Sequence, residues 1–221
     1  MKKWFLLLAV SSVFLGCEQK EDDQIYSAQI CLNNATAGTV DTCLAKIAGV
    51  SSARAFVLRC SAEFIRANIT TSTIVTAIED IEDNDAGNTE DPTIEFYNQF
   101  SFTSTSSANV AVDNCTASGS EGLKLLALSA KTATVIKYDV LSGTLDAAAI
   151  AALNPATADA ADLIAIGESV LLMAPIACAE GGSLEETEVC DNINAAILSS
   201  GGDAQALGEA YLNQLKNPNS N

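Results

Sequence analysis

The residues of this 221-residue chain that could do chemistry are cysteines and carboxylates. Histidine is absent, so Ser-His-Asp and Cys-His nucleophilic catalysis lack their imidazole base, and the usual catalytic zinc sites lack their nitrogen ligands. Cysteines stand at Cys17, Cys31, Cys43, Cys60, Cys115, Cys178 and Cys190. None forms a Cys-x-x-Cys pair, which argues against zinc, iron–sulfur and dithiol redox sites. The carboxylates concentrate in residues 79–95, a run without a single base. Within it, Asp83-Asn84-Asp85-Ala86-Gly87 places two carboxylates before a glycine that permits a sharp turn. Such a segment could offer oxygens to calcium through Asp83 and Asp85, with Asn88, Glu90 or Asp91 completing the shell. The plainer reading is a solvated acidic loop. No glycine-rich phosphate loop occurs.

The N-terminus carries an address. Lys2 and Lys3 precede an apolar stretch, residues 4–15, that is too short to span a membrane. It ends at Val13-Phe14-Leu15-Gly16-Cys17, followed at once by Glu18-Gln19-Lys20-Glu21-Asp22-Asp23. This resembles the signal peptide and lipobox of bacterial lipoproteins, with the small Gly16 before the cysteine. The resemblance implies cleavage after Gly16, lipidation of Cys17, and a protein that sits on a membrane without crossing it. Glu18 after the cysteine resembles lipoproteins sorted to the outer membrane of a Gram-negative cell, facing the periplasm. An ordinary secretory signal with an incidental cysteine is the alternative. The short Asp83–Gly87 motif likewise resembles calcium loops. It is not an EF-hand, because the glycine comes one position early and Ile94 stands where the bidentate glutamate belongs.

Removing residues 1–16 leaves six further cysteines beside Cys17, and an even number in an exported chain reads as a disulfide framework. The same number of residues separates Cys31 from Cys43 and Cys178 from Cys190, and each interval contains helix breakers, Asn33–Gly38 and Glu180–Ser183. A helix, a turn and a returning helix would bring each pair together. That predicts Cys31–Cys43 and Cys178–Cys190 as hairpin staples and leaves Cys60–Cys115 to tie the two halves of the chain. Each bridge contributes about 2–4 kcal/mol, mainly by restricting the unfolded chain.

The chain between these cysteines reads as helices. Residues 22–33 fit a helix or a mixed pattern, apolar residues recur at three and four in 40–47, and 55–65 is amphipathic. Residues 74–81 read as a further helix, with a strand as the alternative because Thr and Val weaken helix propensity. Helices are also read over 108–116, 123–141, 144–153, 156–178 (almost continuously apolar past Gly167), 185–198 and 204–215. Ser118-Gly119-Ser120-Glu121 and Ser183-Leu184-Glu185-Glu186 match capping boxes, and Asn154-Pro155 is read as the start of the most apolar helix. Pro175 should bend or end that helix. Residues 84–107 interrupt the pattern with polar residues and an aromatic island of Phe96, Tyr97, Phe100 and Phe102. The island is expected to pack on the helices, and the 84–102 stretch is the best sequence guess for a contact surface.

Inside the apolar helix, Glu168-Ser169 is similar to the catalytic glutamate and following serine of helical lytic transglycosylases, a peptidoglycan-acting family. The downstream Gly-Leu-Met-Gln segment of that family has no counterpart here, and an acid on a helix surface is the plainer reading. Lys124, Lys131 and Lys137 form a basic stripe expected to pair with nearby acids.

The formal charge is −17, and −19 without residues 1–16. No Lys or Arg occurs in residues 67–123 or 138–215, which disfavours nucleic acid and anionic membrane surfaces as partners. The sequence therefore predicts an all-α, irregular, disulfide-stapled antiparallel helical bundle, open to a helical-repeat-like arrangement. Its parts are a signal peptide (1–16), a lipidated cysteine and tether (17–24), an N-terminal helical part (25–83), an acidic and aromatic loop (84–107), a C-terminal helical part (108–217) and a tail (218–221). The function expected is a non-catalytic interaction or scaffolding role in the cell envelope, with an envelope protein as partner and no cofactor. The alternatives are peptidoglycan cleavage by Glu168 and binding of calcium or a small ligand. Intact mass spectrometry checks the framework: reduction should add two hydrogens for each of three bridges, and a smaller gain breaks the scheme.

Overall fold

The computed structural model describes residues 20–70, 72–73, 97–178 and 188–217. The lipobox with Cys17, the acidic run with Asp83 and Asp85, the helix expected over 74–81, Phe96, the Ser183 capping box and the 218–221 tail lie outside these residues. The architecture is all-α, with no strand among the described residues.

Helix α1 spans 20–32. It is followed by α2 (Val40–Leu44), a 3-10 turn (Ala45–Ile47) and α3 (Ala53–Arg66). After the gap come α4 (Thr105–Ala117) and α5 (Glu121–Thr134), which runs on as a π-helix, Val135–Val140. The remaining elements are α6 (Ala147–Ala152), a 3-10 turn (Pro155–Thr157), α7 (Ala160–Ala177), α8 (Glu188–Ser200) and α9 (Ala204–Lys216).

Side-chain caps set most of the boundaries. Ser52, Ser104, Ser120, Asp146, Asp159 and Asp203 each accept a backbone N–H from the first turn of the helix that follows. Several starts differ from the sequence reading; the helix expected from residue 144, for one, begins at Ala147 after the Asp146 cap. Ser104 begins α4 at Thr105, inside the segment expected to be loop. Ser120, rather than Ser118, caps α5, while Ser118 closes α4 by donating to the Cys115 carbonyl. Asn154-Pro155 opens only the short 3-10 turn. The chain is extended at Ala158, and Asp159 starts α7 by accepting the Ala161 N–H at 2.8 Å. Pro175 sits in the last turn of α7, which ends at Ala177.

All three predicted disulfides are present: Cys31–Cys43, Cys60–Cys115 and Cys178–Cys190, with Cα atoms 5.4, 4.8 and 5.5 Å apart. Loop-closure entropy makes the 55-residue bridge worth about 4 kcal/mol and each 12-residue staple about 3 kcal/mol. The Cys60–Cys115 bond fastens α3 to α4 inside a cluster of Phe64, Ile69, Phe100, Phe102, Ala108 and Ala111. A second cluster gathers Ile25, Ala28 and Leu32 of α1 with Val40, Ile47 and Leu58. The third and largest joins α5, the π-helix, α7 and α9 through Leu128, Ile136, Leu163, Ile166, Val170 and Leu207.

Tyr97, Phe100 and Phe102 are buried, so the described end of the aromatic island is core rather than contact surface. Phe64 meets Phe100 and Phe102 at centroid distances of 6.1 and 5.4 Å. The Phe102 N–H donates to the Thr134 hydroxyl at 2.8 Å, and that hydroxyl donates to the Ala130 carbonyl at 2.6 Å. A fully buried threonine thus pins the aromatic segment to α5 without leaving a polar atom unpaired.

The tightest helix contact is between α7 and α9. A Cβ placed on Gly167 would lie 1.9 Å from the Ala204 carbonyl oxygen, and one on Gly208 would lie 2.0 Å from that of Leu163. Numbering rises along one helix as it falls along the other, so the pair is antiparallel. The missing side chains let the two backbones touch. Gly208→Ala should lower stability by about 1–3 kcal/mol, because the obstacle is backbone that cannot rotate away. Gly122→Ala on α5 meets nothing within 4 Å and should stabilise by about 0.4–1 kcal/mol. Paired urea denaturation curves check both signs.

Candidate functional site

Among the described residues, those singled out in the sequence do not converge, and Cys17, Asp83 and Asp85 lie outside them. Six cysteines pair as bridges at three separate places. Glu168 is exposed on α7, while Ser169 points inward and donates to the Ala165 carbonyl at 2.8 Å. Adjacent in sequence, they face opposite environments because one helical step turns a side chain through about 100°. Ser169 is engaged with its own helix.

The lysine stripe also differs from expectation. Lys137 donates to the Ser101 hydroxyl at 3.3 Å and lies 5.5 Å from the Tyr138 ring centroid. Among the described residues the ion pairs are Arg54–Asp22, Arg66–Asp41 and Arg66–Glu63, and none involves Lys124 or Lys131. Arg66 joins α2 to α3. The hydrogen bond it donates to Glu63 raises its pKa above the ordinary value, burial opposes this, and Asp41 adds to the rise. That holds the guanidinium charged beside a carboxylate that is 6% exposed.

The cleft is a place the sequence did not signal. The Leu141 N–H donates to the Ile136 carbonyl five residues back, at 2.9 Å, which widens the end of the α5 run into a π-helix. Ser142 (φ +57°) and Gly143 (φ +100°) then reverse the chain. Beside this segment lies an open cleft of about 340 Å³ lined by Val140, Leu141, Ser142, Leu153, Asn154 and Thr157. Lys216 at the end of α9 holds one wall by donating to the Leu153 carbonyl at 2.7 Å.

Carboxylates gather next to these walls. Asp139 precedes Val140 and accepts from the Thr105 hydroxyl, and Asp159 follows Ala158 as the cap of α7. Asp162 lies one turn on. Burial, then repulsion from Asp139 and Asp159, pushes its carboxyl above the usual range. Among the described residues no group of three or more His, Cys, Asp or Glu is arranged to hold a metal ion, this trio included. In the neighbouring core the Tyr97 and Tyr211 hydroxyls share a hydrogen bond. Burial raises the Tyr211 phenol and that bond pulls partly the other way.

By length and composition α7 is apolar enough to cross a membrane, the one such helix among the described residues. Its buried face of Leu163, Ile166, Gly167, Val170 and Met173 is packed against protein. No family model, curated protein or solved structure matches the chain.

A carboxyl whose pKa is raised on folding disfavours its own ionised form in the fold. That penalty is absent below the unfolded value and fully present above the folded one. Asp162→Asn should therefore raise the melting temperature at pH 7 and leave it little changed at pH 3. Thermal melts at the two pH values check the sign, and an equal effect at both would contradict it.

Proposed function

We propose that the protein is a lipid-anchored envelope protein with a non-catalytic interaction or scaffolding role, held at the outer membrane facing the periplasm. The cysteine arithmetic carries the reading. Six cysteines pair with one another, leaving Cys17 alone, directly after a short apolar leader. Structural bridges belong to oxidising compartments, the lipobox supplies an anchor, and the two requirements agree on the cell envelope. A helical body fastened at three points is a rigid object to present on a tether. The high acidity suits basic or neutral partners rather than nucleic acid.

Metabolic labelling with an alkyne analogue of palmitate tests the anchor. The wild-type chain should carry the label and fractionate with membranes, whereas Cys17→Ser should lose the label and most of its membrane association. An unlabelled wild-type chain would overturn the lipoprotein reading.

A further inference from the structure

The outward face of α7 is unusual for a helix on a strongly acidic protein. Ala161, Ile164, Glu168, Leu172 and Pro175 are exposed and follow one another at intervals of three and four, so they form one stripe along the helix. Ile164 is 38% and Leu172 45% exposed. The half-buried Ala165, Leu171 and Ile176 widen the apolar margin. A surface helix normally turns polar and charged residues outward. Here a single carboxylate stands at the centre of an otherwise apolar face, one turn from both Ile164 and Leu172. Among the described residues Glu168 has no ion-pair partner, and α7 itself carries no Lys or Arg.

We propose that this face docks an amphipathic helical segment of another protein, in which a Lys or Arg meets Glu168 and apolar residues one turn to either side cover Ile164 and Leu172. This rests on the interaction role proposed above and names the partner's chemistry. Charge decides among the occupants. An antiparallel second copy centred on this face would bring two Glu168 carboxylates together in a drying interface, where like charges repel most. A bilayer would have to bury the same carboxylate, and no base in residues 138–215 is available to reach lipid headgroups. A basic amphipathic helix supplies the missing charge and covers the apolar margin in one step, the recognition mode in which anchors at helical spacing fill a complementary face.

The test places a photo-crosslinking residue at Leu172 in the full-length chain in cells, with a second chain carrying it at the exposed Gln29 on α1. The expected Leu172 adduct maps to a partner helix with a Lys or Arg flanked by apolar residues. Glu168→Lys should reduce its yield at least about tenfold, and changing the mapped base to Glu should restore it. Glu168→Gln should weaken the adduct as well, with an unchanged melting temperature showing that the fold is intact. A Leu172 adduct only with lipid, only with a second copy, or with a partner whose charge reversal restores nothing overturns the proposal. A protein adduct at Gln29 with none at Leu172 overturns this face and leaves the envelope interaction role standing. No adduct at either position overturns both.

Discussion

Two glycines, one on each of two antiparallel helices, set the geometry of the C-terminal half. Gly167 lies against the backbone of Ala204, and Gly208 lies against that of Leu163, so the α7–α9 contact is reciprocal and spans one helical turn. Each glycine costs its helix about 1 kcal/mol in propensity relative to alanine. The close approach offsets that cost by bringing Leu163, Ile166 and Val170 into the same cluster as Leu207 and Leu212. With this pair fixed, α5 and its π-helical extension pack across α7 to complete the cluster. The buried face of α7 is settled by these contacts, and so is the face left outside.

The N-terminal half depends on covalent and polar ties. Its cluster of Ile25, Leu32, Val40, Ile47 and Leu58 is small, and the Cys31–Cys43 staple limits how far its unfolded chain can spread. Arg59 donates to the carbonyls of Ile47 and Val50, closing the turn that leads into α3. Arg66 reaches back to α2 through Asp41. Cys60–Cys115 then fastens this half to the aromatic cluster, where Thr134 receives Phe102. Among the described residues, one bridge, three aromatic rings and a buried threonine meet at the seam between the halves.

The six cysteines of the helical body are taken up by three bridges at separate places in the fold. The acids that gather, Asp139, Asp159 and Asp162, surround the start of α7 and the end of the π-helix, where they cap and repel rather than coordinate. Glu168 stands apart from them, alone on an apolar stripe.

Much of the architecture was legible in the amino-acid order. Helical periodicity with few strand signals gave an all-α chain, and equal cysteine intervals with breakers between them gave the hairpin staples, because both are local properties of the chain. The third bridge followed by elimination. Local chemistry was less decisive at the caps: Ser118 and Ser120 are both good cap residues, and so are Asn154 and Asp159, so residue type alone does not choose between them. Phe100 and Phe102 pack on the helices as their apolar character led one to expect, whereas the inward turn of Ser169 beside an outward Glu168 and the π-helical widening after Thr134 were decided by tertiary packing. So was the role of Gly167 and Gly208. A glycine inside an apolar helix reads as a weak point in sequence, and it becomes a contact only when a second helix arrives to use the space where a side chain would have been.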